Sequence, residues 1–484
     1  MTITNSLPQD GVIGLDALEE RLHADLAWLN LPPAPWLPPM AHAEGPVLDI
    51  AIVGAGMGGL AVAGALRLLG LHATLFDKAP RDFEGPWATT ALMETLRSPK
   101  QISGPALDLP ALTFYAWYQA QFGRAAWEAL DKIPRLQWAD YLGWYRRVLS
   151  LDVRSEHEVK AVRPRSDHLV ELTVEHESKP QTVLARRVVL ALGLEAFGGP
   201  LIPDFVNGLP RDKWSHSIEP LDYGRLAGRR VGLVGGSAAA MDCAGTALEA
   251  DAARVDLLIR RQDFPRINYA KGAGNPGFQY GYTSLADEWK FRFAHFTAAV
   301  GFPPPRGSVL RVSRHTNAHF HFGCPVQRVK QLNNQLLVST PRGNFEFDHL
   351  ILATGFRLDW ALHPEFAGFS GDVKTWADTF TPPPGTGLPE LAATPYLSNT
   401  FQFQAKVPGS CPGLEQIYCF CFPSTLSNGH VTGLIPGVSI GAKRLAEALA
   451  SSLYDEDREI LYQRILDFDD PEVMGDEWHP ETLQ

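Results

Sequence analysis

Short apolar runs that end in glycine, each followed by a stretch of 3.6-residue apolar periodicity, set the rhythm of the chain. Leu48-Asp49-Ile50-Ala51-Ile52-Val53 predicts a strand, and residues 60–69 predict the helix beyond it. Between them lies Gly54-Ala55-Gly56-Met57-Gly58-Gly59, and a further strand, Ala73-Thr74-Leu75-Phe76, ends at Asp77 and Lys78. The same succession returns at 231–242, with the turn Gly235-Gly236-Ser237-Ala238, and its following strand, 255–259, ends in Arg260-Arg261. Helical patterns at 112–122 and 137–149 come between; the second carries Trp138, Tyr141, Trp144 and Tyr145, a stripe of core-packing type. Residues 1–45 form an appendage: helical periodicity at 15–29, then a stiff proline-rich stretch at 31–39, expected to pack on the body through Trp28 and Trp36.

The first turn has the G-x-G-x-x-G spacing at Gly54, Gly56 and Gly59. These glycines allow a tight turn, close backbone approach to a pyrophosphate, and close helix–strand packing, while the helix N-terminus offers free N–H groups to phosphate. Asp77 stands where a carboxylate holds a ribose hydroxyl, which suits the adenosine of FAD. In the second turn Ser237 and Ala240 replace the later glycines, and arginine replaces the acid. Arginine there favours a 2′-phosphate, hence NADPH. A solvated strand end accounts for Arg260 and Arg261 equally well.

A meander pattern also occurs twice. One copy runs through 157–162 and 169–174 to Arg187-Val188-Val189-Leu190-Ala191-Leu192-Gly193. The other runs through 325–329 and 335–339 to residues 347–356. Such repetition implies two dinucleotide folds of similar build, one inserted into the other. The expected fold class is α/β: a Rossmann-like FAD domain at 46–204 and 346–484 with a smaller Rossmann-like NADPH domain, 205–345, inserted. The Gly- and aromatic-rich stretch 269–282 is expected to lack regular structure and to form a mobile loop over the cleft or a plain surface connection.

Composition narrows the partners. A formal charge of −11 with no basic stripe argues against nucleic acid. The five cysteines are irregularly spaced and form no secreted disulfide framework. No apolar stretch reaches membrane-spanning length and the N-terminus lacks a basic leader, so a soluble cytoplasmic protein without membrane contact is expected. His315, His319 and His321 give at most a partial metal site that no carboxylate or cysteine completes, and no metal is expected. Cys419-x-Cys421 lacks the C-x-x-C spacing of thiol oxidoreductases. Gly235-x-Ser237 lacks the glycine that a nucleophile elbow needs at Ala239.

Residues 48–450 resemble the flavin-dependent monooxygenases with two dinucleotide-binding domains, which include the flavin-containing, N-hydroxylating and Baeyer–Villiger monooxygenases. The carrying segments are the first turn, Glu84-Gly85-Pro86-Trp87, Leu96-Arg97-Ser98-Pro99-Lys100, Trp214-Ser215-His216-Ser217 and Asp348-x-x-Ile351-x-Ala353-Thr354-Gly355-Phe356. Gly208 and Pro220 depart from the linker fingerprint of the Baeyer–Villiger group. The resemblance implies FAD on residues 54–59 with Asp77, Lys78, Trp87, Gln101, Thr354 and Gly355, and NADPH on Gly235, Gly236, Ser237, Ala238, Arg260 and Arg261. It also suggests a helix start near Gly433 and Leu434 aimed at the flavin pyrimidine; a structural turn reads the same way. Candidates for polar positioning at the reaction centre are Arg97, Ser98, Lys100 and Gln101, with His216 at the linker.

The chemistry implied by the resemblance is reduction of FAD by NADPH, reaction with O2, and transfer of one oxygen atom from a flavin C4a-hydroperoxide to a small nucleophilic substrate, N- or S-hydroxylation being favoured. The rivals are an NADPH-dependent oxidase that releases peroxide, Baeyer–Villiger oxygenation of a ketone, and a non-catalytic FAD-binding protein.

Overall fold

The computed structural model describes residues 13–481. Its first sheet is built on Gly45–Val53, which lies parallel between Ala73–Phe76 and Lys179–Leu190, with Asp152–Arg154 extending the sheet beyond Ala73–Phe76. From Ile50 to Val53 every residue is buried, as a parallel strand covered on both faces requires. Lys179–Leu190 is long enough for two roles. It pairs antiparallel with Val170–His176, which pairs with Glu158–Pro164, and its last residues run parallel to Ile417–Cys419.

Helices Met57–Leu68 and Val438–Glu456 pack on each other against one face of this sheet. Behind them lie Phe114–Ala129 and Arg135–Val148, where Phe114, Trp138, Tyr141 and Tyr145 are fully buried. The aromatic stripe is therefore core, and Tyr141 secures it by donating its hydroxyl to Leu112 O at 2.7 Å.

The helix expected at 15–29 is Gly14–Trp28, and residues 1–12 of the appendage lie outside the described residues. Its docking differs from expectation. Leu18, Leu22 and Leu26 face the core, while Trp28 is 74% exposed. Two residues beyond Leu26 is about 200° around a helix, so Trp28 cannot share that face. Trp36 does pack, against Tyr454, and donates Nε1 to Leu69 O at 2.9 Å.

The second sheet is wholly parallel, in the order Ala318–Phe322, Arg254–Ile259, Arg230–Val234, His349–Leu352, Trp214–His216. The D-x-x-I-x-A-T-G-F strand thus lies here, whereas the sequence pattern assigns residues from 346 to the first domain. Asp348 explains the placement: it accepts from Arg230 N and donates its own N–H to Arg230 O, both at 2.8 Å, which fixes the strand beside 230–234. The second meander, Arg328–Leu332, Gln335–Thr340 and Gly343–Phe347, is a separate three-stranded sheet.

The chain crosses between the halves twice, and the crossings pair with each other: Gly198–Pro200 runs antiparallel to Phe356–Leu358. A Cβ at Gly198 would sit 2.1 Å from Arg357 O, so glycine is required there. The stretch 269–282 is not irregular as expected. It holds Pro276–Gly281, a short helix capped by Asn275, whose side chain accepts from Phe278 N at 2.9 Å, and ends at the buried ring of Tyr282.

Candidate active site

The first turn is held by its backbone. Gly54 has φ +100°, and a Cβ there would meet Ala191 O at 2.6 Å; one at Gly59 would meet Gly54 O at 2.0 Å. These two glycines are demanded by the protein itself. Gly56 is different: a Cβ there would come no closer than 3.6 Å to any protein atom, at Gly85 Cα. Nothing in the chain needs glycine at position 56, but a pyrophosphate approaching the start of helix Met57–Leu68 does. The Asp77 carboxylate closes the same corner, accepting from Ala55 N at 2.7 Å and Ala79 N at 2.9 Å. Lys78 beside it is exposed.

Two further segments border this corner. Glu84 pairs with Arg146 at 2.6 Å, both largely buried, and Arg135 donates to Trp87 O at 2.6 Å, which sets Gly85 beside Gly56 with Trp87 against Gly85. From the C-terminal side, Phe420 and Thr432 O lie 3.7 Å from a Cβ position at Gly58. Gly433 and Leu434 are exposed just before helix Val438–Glu456, whose Ser439 donates to Gly104 O at 2.7 Å. A Cβ at Gly441 would meet Val431 O at 2.1 Å, so this helix is pressed against the segment that precedes it.

In the second turn Gly235 has φ +138° and a Cβ would meet Ala353 O at 2.5 Å; at Gly236 it would meet Ile259 Cγ2 at 2.9 Å. Ser237 is exposed and caps helix Ala238–Glu249, its hydroxyl accepting from Ala240 N at 3.4 Å. Ala240, in the place of the third glycine, is fully buried. Arg260 is exposed. Arg261 is committed elsewhere, donating to Val300 O at 3.1 Å at the end of helix Asp287–Val300.

The candidates from the 96–101 segment diverge. Arg97 reaches Asp242 on the second-turn helix, 3.2 Å away. Lys100 turns instead to the carboxyl end of helix Phe114–Ala129, donating to Trp127 O at 2.6 Å, Leu130 O at 2.5 Å and Glu128 O at 3.3 Å. A residue with its ammonium so engaged caps a helix. Gln101 is exposed and Ser98 half-buried. Thr354 and Gly355 lie at the return crossing, where Leu201 donates to Gly355 O at 2.8 Å and Thr354 Oγ1 donates to Leu201 O.

His216 is 1% exposed, and neither ring nitrogen has a hydrogen-bond partner of ordinary geometry among the described residues. Burial holds its pKa below the usual imidazole range, against the pull of Glu219 and the Gly355 backbone. Asn428 is likewise buried with both amide atoms unpartnered. Buried polar groups are ordinarily hydrogen-bonded; His216 lies on the linker segment, and Asn428 lies five residues before Gly433. His321 Nε2 lies 2.7 Å from Asp256 Oδ1, and among the described residues no group of three or more His, Cys, Asp or Glu side chains is gathered in a way that could hold a metal ion. Cys419 and Cys421 are buried free thiols 3.4 Å apart.

Asp242 is absent from the candidates that the sequence suggests, although a signal was there. It is the lone charged residue among the small and apolar side chains of 238–248, and a charge so placed has to be paired.

The residues at the two turns therefore fit a pair of dinucleotides: glycine turns that open helices, an acid at the first strand end and an exposed arginine at the second. The family model of L-lysine 6-monooxygenase/L-ornithine 5-monooxygenase matches residues 116–284, and that of an NAD(P)-binding Rossmann-like domain matches residues 52–130. Among solved structures the chain is similar to an ornithine hydroxylase from Pseudomonas aeruginosa, with TM-score 0.65, 16% identity, and 84% of this chain and all of that one covered. It is also similar to the ornithine N-hydroxylase of Kutzneria sp. 744, solved with reduced FAD, NADP+ and L-ornithine, with TM-score 0.64, 17% identity and the same coverage. The FAD-dependent urate hydroxylase of Xanthomonas campestris pv. campestris is 36% identical over 472 residues, 97% of this chain and 99% of the relative. With that likeness running from end to end, the chain belongs to the family of FAD-dependent monooxygenases.

Proposed function

We propose that this enzyme uses FAD, NADPH and O2 to hydroxylate urate or a closely related oxidised purine. The observation that carries the reading is the 36% identity to a urate hydroxylase along nearly the whole of both chains. An electron-rich heterocycle also meets the requirement for a nucleophilic oxygen acceptor. When bound, FAD supplies the activation of O2, so no protein nucleophile is needed. The chain's own part is to bind and orient. Gly56 leaves the backbone open to pyrophosphate, and Asp77, braced by two N–H groups, takes the ribose hydroxyls. Ser237 and the N–H groups of helix Ala238–Glu249 take the second pyrophosphate, with Arg260 offered to the 2′-phosphate. We place the passage from the second dinucleotide unit back to the first at Thr354-Gly355.

A second reading is N-hydroxylation of an amino acid or diamine, favoured by the lysine/ornithine monooxygenase model over residues 116–284. One assay separates the two. Purified enzyme with FAD is given NADPH and either urate or L-ornithine, and NADPH oxidation, oxygen uptake, peroxide and product mass are followed. Urate-dependent NADPH consumption with one oxygen atom from O2 in the product is the expected result. Turnover with L-ornithine and none with urate would replace this reading with the second. NADPH oxidation matched by peroxide, with both substrates intact, would make the protein an oxidase.

A further inference from the structure

We propose that Arg97 is a positioning residue that latches the two nucleotide-binding halves together and so sets the distance between flavin and nicotinamide. The inference rests on the FAD–NADPH reading above. Its basis is a contact that joins the two turns through a short chain of hydrogen bonds.

On the side of the first turn, Gly85 borders Gly56, Trp87 lies against Gly85, and Trp87 O accepts from Arg135. Arg135 N in turn donates to Glu94 O at 3.1 Å, and Leu96 N donates to Ile133 O at 2.8 Å. Residues 92–97 are therefore anchored to the first half. The opposite edge of the same loop is gripped by the second half. Arg311 Nη1 donates to Leu92 O at 3.0 Å, and Arg97 Nη2 donates to Asp242 Oδ2 at 3.2 Å. Asp242 lies on helix Ala238–Glu249, which starts at the second turn, so any shift of the loop reaches the phosphate cradle directly.

The acceptor is built for a fixed geometry. The Asp242 side chain is 5% exposed and takes Ser308 Oγ at 3.0 Å on its other oxygen, whereas the Arg97 side chain is 47% exposed. Arg311 also donates to Glu249 at 2.6 and 2.9 Å and to Thr246 Oγ1 at 3.1 Å. Gly245 makes room for it, since a Cβ there would lie 2.8 Å from Arg311 Nε. Arg311 thus braces the second half and touches the loop only through the Leu92 backbone carbonyl, whereas Arg97 joins the loop to Asp242 as an ion pair between side chains. The pair also walls a cavity of about 380 Å³ between the halves, lined in addition by Lys132, Pro305 and Arg306.

Hydride transfer is steeply sensitive to misplacement, a displacement of about 1 Å being worth up to ~100-fold. Loosening the latch should therefore slow reduction of the flavin without disturbing FAD binding. Arg97→Ala and Arg97→Lys are compared with the parent chain in two measurements. The first is anaerobic stopped-flow reduction of bound FAD by NADPH. The second is amide hydrogen exchange of the nucleotide-free chain over residues 92–97 and 238–249. Arg97→Ala is expected to retain full FAD content, to slow reduction roughly tenfold or more, and to exchange faster in both segments; Arg97→Lys, which keeps the charge, is expected to recover much of the rate. Reduction within twofold of the parent in Arg97→Ala would overturn the proposal, whatever the exchange shows. Slower reduction with unchanged exchange would also overturn it, because Arg97 would then act on the nucleotide directly. A parent flavin that NADPH fails to reduce would overturn the functional reading and the latch with it.

Discussion

Gly56 and Gly59 are three residues apart in one motif, yet they answer to different masters, and substitution separates them. Alanine at 59 would place a methyl 2.0 Å from Gly54 O. That contact cannot be relieved by rotating a side chain, so Gly59→Ala should destabilise even the nucleotide-free chain, by about 3 kcal/mol or more. Gly56→Ala has ordinary space and should melt like the parent while binding FAD at least tenfold more weakly. Thermal melts of the apo chains and FAD titration check both. A second prediction concerns His349, buried beside Ser215 Oγ at 3.0 Å. Burial lowers its pKa to about 4, from 6.5. As pH falls below 6.5 the unfolded chain takes up the proton first, so stability present above pH 6.5 is lost progressively down to about pH 4, by at most about 3 kcal/mol. His349→Gln should flatten that part of the acid limb in urea midpoints measured from pH 7 to pH 4.5. An unchanged slope would refute the assignment. At this scale the sequence is informative wherever the constraint is local. Glycine spacing and the acid at a strand end follow from backbone geometry, whereas the packing that buries the His216 ring against Phe356 depends on distant chain.

At the scale of elements, strands and helices are legible because apolar periods of 2 and 3.6 survive in short windows: the helices at 57–68 and 135–148 fall close to their expected spans, whereas the one expected to end at 122 kinks at Gly123 and runs on to Ala129. What the pattern does not carry is which element a long side chain will serve. Lys100 lies in a segment that suggests flavin contacts, but its acceptors are the last carbonyls of a helix about 30 residues away. Arg261 does the same for Val300 O, 39 residues on. Lys100→Ala should therefore cost about 1–2 kcal/mol of stability through the exposed helix end, with FAD content unchanged. Loss of FAD with unaltered stability would return Lys100 to the cofactor. Arg260→Ala should raise KM for NADPH several-fold and leave KM for NADH alone, which separates the exposed arginine from its capping neighbour. The sheet that receives the strand at 349–352 is hidden from the sequence for a related reason: pairing partners are chosen by Asp348 reaching Arg230 N, and no periodicity within residues 347–356 records that choice.

For the whole molecule, one mixed and one parallel sheet with separate apolar cores imply two units that melt in a nucleotide-dependent way. A calorimetric scan should show FAD raising one transition and NADP+ the other, each by several degrees at a hundredfold excess over Kd, where linkage supplies about 2.7 kcal/mol. A single transition raised equally by either nucleotide would mean that the halves unfold as one.

The paired crossings carry an architectural consequence. Because Pro200 lies beside Phe356 and Gly198 beside Leu358, the 155 residues from 201 to 355 leave and re-enter through a single doorway. A cassette entered this way is removable: joining residue 200 to residue 356 through a few glycines should yield a shortened polypeptide that is still yellow after reconstitution and deaf to NADPH.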